Sequence, residues 1–127
     1  MTNRELGSRA VACKHWRWVP GMLPLVVDED GDCVACDRVW KTQGGKLVFP
    51  RGATPDLTDP ATLGALLALV REAWEPHRGS DYIASTMHTG SGWGVGARYG
   101  SEGLAAIVLP TYKTEAEALV AALVTAP

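Results

Sequence analysis

The sequence has few cysteines, no excess of positive charge and no long apolar run. Its 127 residues include 3 cysteines, 12 basic residues and 14 acidic residues, which give a formal net charge of −2 at pH 7. Three thiols cannot form a disulfide framework, and non-specific nucleic-acid binders typically carry a basic excess that this chain does not have. No apolar run approaches the roughly 20 residues that cross a bilayer. Neither nucleic acid nor a membrane is therefore expected among its partners.

The length and composition are those of an ordinary folded chain. Hydrophobic residues make up 46% of the sequence and charged residues 20%, both close to the averages for soluble globular proteins. The length is near the modal size of one domain, so we predict a single domain over residues 1–127. The first ten residues, MTNRELGSRA, contain no apolar signal-peptide core, and a cytoplasmic location is expected.

One long helix is predicted in the middle of the chain. Asp59 can cap its first turn, and Pro60 has a backbone angle suited to the first helical position. Apolar residues then recur with the helical period, and Pro76 is expected to end the helix near Glu75. The predicted buried face comprises Leu63, Leu66, Leu67, Val70 and Trp74.

Two shorter helices are predicted at the ends of the chain. Thr114 and Glu117 match a capping box, in which each side chain bonds the other residue's backbone amide. The apolar face of this helix comprises Ala116, Leu119, Ala122 and Leu123. A further helix is predicted over residues 3–11, although Gly7 disfavours it.

The extended segments fall into two runs. We predict strands at residues 22–27, 34–41 and 46–49, and then at 82–88, 93–99 and 104–109. An acidic turn, Asp28–Asp32, joins the first two, and residues 51–58 form the longest predicted loop. Strands in runs between helices indicate an α+β fold, with an antiparallel sheet in two meanders packed against two to three helices.

Four residues are candidate metal ligands. Cys33 and Cys36 have the spacing of a zinc knuckle, and Cys13 and His15 share a face if that segment is extended. The knuckle lacks its usual flanking glycine, and no second pair of the same spacing accompanies it. Cysteines in small domains more often act as small buried hydrophobic residues. We therefore predict free thiols and no cofactor, with zinc as the alternative.

Aromatic and basic residues alternate at positions 14–18, and Trp40 is followed by Lys41. Single-strand nucleic-acid binders use such patterns to stack bases and hold phosphates. The chain is acidic overall and has one phenylalanine, so tryptophan is needed to fill the core. The favoured interpretation is a strand that buries Trp16 and Trp18 on one face.

Residues 90–96 contain four glycines in seven positions. Residues 92–97 match Gly-x-Gly-x-x-Ala, but no helix follows, as a dinucleotide site requires. Such a concentration of glycines weakens a strand that serves only its sheet, whereas it allows a ligand or another backbone to approach closely. We predict a contact surface here, and the alternative is a simple loop and bend with Trp93 in the core. The candidate contact residues are Gly92, Trp93, Gly94, His88 and Arg98.

The sequence contains no recognisable enzyme signature. Ser85, Thr86 and His88 lie close together, but neither a nucleophile elbow nor a triad context surrounds them. The acidic turn Asp28–Asp32 is too short for a calcium-binding loop. No catalytic residue is therefore assigned.

Three stretches carry a family resemblance. They are RAVACK and WRWVPGM within residues 9–22, PDLTDPATLG and LLALVREAW within 55–74, and TEAEALVAAL at 114–123. They resemble small uncharacterised proteins encoded by tailed bacteriophages and prophages, over about a third of the chain. The resemblance implies a phage-encoded accessory protein that acts inside a bacterium, and it implies no site residues.

The sequence favours a non-enzymatic binding protein. Its expected partner is a host protein or a small nucleotide ligand in the host-cell cytoplasm. A small zinc-binding regulatory protein that contacts nucleic acid is one alternative. An unrecognised small enzyme with a pocket around His88 is the other.

Overall fold

Three helices and three small antiparallel sheets form an α+β arrangement in the computed structural model, which describes residues 1–78, 82–99 and 102–127. The predicted fold class is confirmed. The elements in chain order are α1 (Asn3–Val11), β1 (Pro24–Val27), β2 (Cys33–Ala35), β3 (Trp40–Lys41), β4 (Leu47–Val48), β5 (Thr54–Pro55), α2 (Pro60–Arg78), β6 (Tyr82–Thr89), β7 (Gly92–Tyr99), β8 (Glu102–Tyr112) and α3 (Glu115–Thr125).

The chain forms two compact units. The first comprises residues 1–12 and 16–65, and the second comprises residues 13–15 and 66–127. The single domain over residues 1–127 stays a prediction. In the described part of the chain, no helix is both long enough and apolar enough to cross a membrane.

The first predicted meander is divided into two sheets. The predicted hairpin of β1 and β2 is present, but β1 also pairs with β5, while β3 and β4 form a sheet of their own. The predicted strand at 34–41 is interrupted because Val39 turns inward. Its N–H donates to the Met22 carbonyl at 2.9 Å, and its own carbonyl accepts from Gly21 N at 2.8 Å. The predicted loop at 51–58 contains β5, which is too short to show a periodic pattern.

Helix α1 has the predicted bounds. Thr2 caps it: the Thr2 hydroxyl accepts from Glu5 N, and the Glu5 carboxylate accepts from Thr2 N. Gly7, which disfavours a helix in isolation, allows α1 to approach β5 closely. A Cβ at Gly7 would lie 3.2 Å from the Pro55 carbonyl oxygen. The close approach explains why glycine occupies this helical position.

Helix α2 begins at Pro60 as predicted, but its buried face differs from the prediction. Leu63 and Leu67, predicted to face the core, are only half-buried. At about 100° per residue, the observed face is rotated by roughly 60° from the predicted one. The prediction followed large apolar residues, whereas the packing also uses a threonine and a small alanine. The buried residues are Thr62, Leu66, Leu69, Val70, Ala73 and Trp74.

Pro76 does not end α2. The helix continues through it to Arg78. Proline removes one backbone donor and disfavours a helix interior, but Pro76 lies in the last turn, and only two helical residues follow it.

The second unit contains the predicted second meander. Strands β6, β7 and β8 pair in that order, all antiparallel. Helix α3 has the predicted buried face and is also buried on its other sides, at Ala118, Val120 and Ala121. One hydrogen bond of the predicted capping box is present: the Thr114 hydroxyl accepts from Glu117 N at 3.1 Å.

Candidate functional site

A groove lies beside the β3–β4 hairpin in the first unit. Gly45, with a φ of +86°, forms the turn between the two strands, and the Thr42 hydroxyl accepts from Lys46 N at 3.1 Å. This turn sets the register in which Trp40 lies opposite Val48. The hairpin thereby presents one wall of the groove.

The groove has a volume of about 320 Å³. Trp40 is 53% exposed and Phe49 is 39% exposed. Aromatic side chains contribute large apolar areas, and their exposure at a concave surface is typical of a binding site. The lining residues are Cys36, Asp37, Arg38, Trp40, Val48, Phe49 and Pro50.

A row of aromatic rings supports Phe49. Trp18 stacks on it with ring centroids 5.2 Å apart and an interplanar angle of 28°. Trp16 contacts Trp18 edge-on, at 5.4 Å. The prediction that both tryptophans lie in a strand and fill the core is wrong. Residues 16–19 are not in a strand, and Trp16 and Trp18 are both half-buried. Trp16 packs against Trp18, and Trp18 packs against Phe49.

A hydrogen-bonded network holds Arg38 at the groove. Its guanidinium donates to both carboxylate oxygens of Asp59, at 2.7 and 2.9 Å, and to the Gly21 carbonyl at 3.0 Å. Asp59 also accepts from the backbone N–H and the hydroxyl of Thr62, and that hydroxyl accepts from Leu23 N at 2.9 Å. Thr62 is fully buried, so its hydroxyl is satisfied inside the protein. The predicted helix cap at Asp59 thus also anchors the groove.

The same network sets the charge state of Asp59. The bidentate hydrogen bond from Arg38 holds the pKa of the Asp59 carboxyl well below its usual range, and the hydrogen bonds from Thr62 act in the same direction. Partial burial raises the Asp59 pKa, with an effect smaller than that of the Arg38 hydrogen bond but larger than that of either Thr62 hydrogen bond. The hydrogen bond to Asp59 also raises the pKa of Arg38. The pair is therefore fully ionised at neutral pH.

We expect Asp59→Asn to flatten the dependence of stability on pH. Because the Asp59 pKa is lower in the folded chain, its charge contributes stability above the ordinary carboxyl pKa of about 4, and this contribution is lost as the pH falls below that value. Asparagine retains the helix cap but not the charge. Urea unfolding between about pH 6 and pH 2 measures the effect. Asp37→Asn, which leaves the Arg38–Asp59 pair intact, is the control, and equal slopes for Asp59→Asn and the wild type would contradict the linkage.

The predicted glycine-rich surface lies on the β6–β7 hairpin of the second unit. His88 is exposed and lies opposite the half-buried Trp93, with ring centroids 5.1 Å apart. Gly92 has a φ of +126°, and a Cβ there would lie 2.5 Å from the Tyr112 carbonyl oxygen. The sheet itself therefore requires this glycine. Gly94 is buried, with space for a Cβ at 3.9 Å from Met87 Cγ.

The structure does not place Arg98 beside these residues. Arg98 lies on β7, where it pairs with Ile83 of β6. It is five positions beyond Trp93, or roughly 16 Å along the strand. Its side chain lies outside the described residues. The four residues brought together are thus His88, Gly92, Trp93 and Gly94, and their role as a contact surface stays a prediction.

Two of the four candidate metal ligands, Cys13 and His15, contact backbone carbonyls. Cys13 Sγ contacts the Leu123 carbonyl at 3.6 Å, and His15 Nε2 lies 3.2 Å from the Ala126 carbonyl oxygen. Cys33 is exposed on β2, and Cys36 lines the groove. Within the described part of the chain, no group of three or more His, Cys, Asp or Glu residues is arranged to hold a metal ion.

Thr86, one of the residues considered for catalysis, is bound within the second unit. Its hydroxyl donates to Glu115 Oε1 at 2.7 Å, which ties β6 to the first turn of α3. This contact gives Thr86 a structural partner.

Comparisons of the chain with protein-family models, with curated proteins and with solved structures found no match. The function is therefore inferred from the residues of the site itself. Sequence reasoning singled out Trp40 and Trp18 but did not find the groove. The usable signal was the pair of aromatic residues, Trp40 and Phe49, on either side of the glycine turn.

Proposed function

We propose that this protein acts by non-enzymatic binding of another protein, and that the groove is its binding site. The observation that carries the proposal is the exposure of Trp40 and Phe49 on a concave surface, with Val48 and Pro50 beside them. Burial of such side chains by a partner releases apolar surface from water, and tryptophan is prominent among the residues that dominate binding energy.

The charges at the groove favour a protein over a nucleotide. Arg38 is the cation among the described residues that line it, and its guanidinium is already paired with Asp59. Asp37, which also lines the groove, is exposed and acidic. A phosphate group would meet a neutralised cation and a repelling carboxylate. Host protein is thus favoured over small nucleotide as the partner class.

The cellular setting of the proposal is the cytoplasm of an infected bacterium. The support is the resemblance of residues 9–22, 55–74 and 114–123 to proteins of tailed bacteriophages and prophages. An accessory protein of this kind would act on a component of the host.

We expect Trp40→Ala to reduce the capture of a specific host protein by about tenfold or more. The wild-type chain, Trp40→Ala and Trp93→Ala are each immobilised and exposed to the same bacterial lysate. A protein retained by the wild type and by Trp93→Ala, but reduced about tenfold or more with Trp40→Ala, identifies the groove as the site.

Trp93→Ala is the matched control, because it removes the same side chain from the predicted glycine-rich surface. Circular dichroism checks that each variant is folded. If Trp93→Ala loses the captured protein and Trp40→Ala retains it, the site is the β6–β7 hairpin, and the groove proposal is wrong.

A further inference from the structure

The outer edge of β2 continues the groove along the chain. β2 is an outer strand of the sheet β2–β1–β5, and all three of its residues are exposed. The next residue, Cys36, is the first that lines the groove. No strand in the described part of the chain pairs with this edge.

Hydrogen bonds at both ends of the β1–β2 ladder define its phase. Cys36 N donates to the Pro24 carbonyl at 2.9 Å, and Asp28 N donates to the Asp32 carbonyl at 2.8 Å. In an antiparallel ladder, hydrogen-bonded pairs alternate with non-hydrogen-bonded pairs. Every second residue of β2 therefore turns its backbone groups away from β1.

The β2 residues whose backbone groups point away from β1 are Cys33 and Ala35, which lie opposite Val27 and Leu25. Their N–H and C=O groups point to the open edge, where an added strand can bond them. The edge thus offers backbone pairing of the kind used in strand addition.

An apolar strip connects this edge to the aromatic residues. Val34 is 39% exposed, and side chains two positions apart share one face of an extended chain. Val34 therefore lies on the same face as Cys36, a groove-lining residue. A strand added to β2 can place one side chain over Val34 and another in the groove.

The negative charge at both ends of β2 favours a basic partner segment over a second copy of this chain. The turn before it carries exposed carboxylates at Glu29, Asp30 and Asp32, and Asp37 follows it. Antiparallel pairing of two copies of β2 would bring the turn carboxylates of each copy close to Asp37 of the other. Repulsion between these like charges opposes self-association. A basic strand matches them.

We propose that the β2 edge and the groove together bind an extended, basic segment of a partner protein. The segment adds to β2 as a strand, bonds the outward backbone groups of Cys33 and Ala35, places an apolar side chain between Trp40 and Phe49, and carries Lys or Arg near the acidic turn. The inference rests on the proposed function, because it names the class of partner that the groove takes.

The test uses random peptides displayed on a carrier and selected on the full chain, and the best binder is then synthesised. We expect selected peptides to combine an apolar residue with Lys or Arg at a constant spacing. Ala35→Pro removes the outward N–H without removing a β1–β2 hydrogen bond, and proline is tolerated on such an edge. It should weaken binding of the peptide by about tenfold. Ala35→Val retains the N–H and is the matched control.

The outcomes separate failure of strand addition at β2 from failure of the groove as the binding site. Weaker binding with both Ala35→Pro and Trp40→Ala, and wild-type binding with Ala35→Val, supports both. If peptide binding is lost with Trp40→Ala but not with Ala35→Pro, strand addition is overturned and the groove remains the binding site. Binding unchanged in all variants, or no selected peptide, overturns both. A dimer of the free chain that Ala35→Pro dissociates also overturns the inference, because β2 would then be occupied by a second copy.

Two further measurements test the mode of binding. Hydrogen exchange at the amides of Cys33 and Ala35 should slow when the peptide binds, because an added strand protects them. The pair of changes Glu29→Gln and Asp30→Asn should weaken binding about threefold to tenfold, and less at high salt. Asp28 is left in place because its carboxylate accepts from two backbone amides of the turn. Unchanged exchange, or selected peptides without basic residues, would contradict the proposed mode.

Discussion

Leu66→Ala should lower the free energy of unfolding by about 2–5 kcal/mol, whereas Leu67→Ala should cost about 1 kcal/mol or less. The two leucines are neighbours on α2, but Leu66 is fully buried, and Leu67 is half-buried. Removing a buried isobutyl group loses its transfer free energy and leaves a cavity, while a half-exposed one leaves space that water can fill.

Urea unfolding of the two variants at neutral pH measures the difference. Helix propensity changes equally at both positions, so each variant is the other's control. Equal losses would indicate that the face predicted from the sequence, which includes Leu67, is the packed one.

Trp74→Ala should destabilise the chain by about 3–5 kcal/mol. The Trp74 side chain is 7% exposed, and its indole Nε1 donates to the Ala122 carbonyl at 2.9 Å. The substitution therefore removes a large buried ring and a hydrogen bond that joins α2 to α3.

Two companion variants separate these effects. Trp74→Phe retains most of the ring but removes the indole N–H, so the Ala122 carbonyl keeps only the longer contact from the Thr125 hydroxyl, at 3.4 Å. The expected cost is about 0.5–1.5 kcal/mol, the net value of one hydrogen bond. Trp40→Ala removes an exposed tryptophan and should change stability by about 0.5 kcal/mol or less. If Trp40→Ala destabilises the chain as much as Trp74→Ala, Trp40 belongs to the core and not to a binding site.

The helices were predictable because their signals are local. Asp59 and Pro60 mark the start of α2, and Thr114 marks the start of α3, since a cap acts within one turn of its own helix. The rotation of the α2 face was not predictable from periodicity. Many of its residues are apolar, and the buried set includes Thr62, whose hydroxyl is satisfied by Asp59 and Leu23.

The groove was not predictable for a different reason. Trp40 and Phe49 are residue types that commonly fill cores, and sequence alone does not distinguish an exposed aromatic ring from a buried one. Residues 36–39 interrupt the predicted strand, because Val39 turns inward to bond Met22 and Gly21, and Trp40 then begins a separate two-stranded sheet. The glycine-rich segment was predicted to leave space for a partner, but Gly92 is required by the close approach of the Tyr112 carbonyl within its own sheet.

The sequence by itself determined the α+β class, the order of helices and strand runs, and the starts of the helices, because these follow from caps, turns and periodic patterns a few residues long. The tertiary structure alone decided which aromatic rings are exposed, which side of α2 is buried and which edge of β2 is open. These properties depend on contacts between residues distant in sequence, such as Arg38 with Asp59 and Trp18 with Phe49, and local patterns do not encode them.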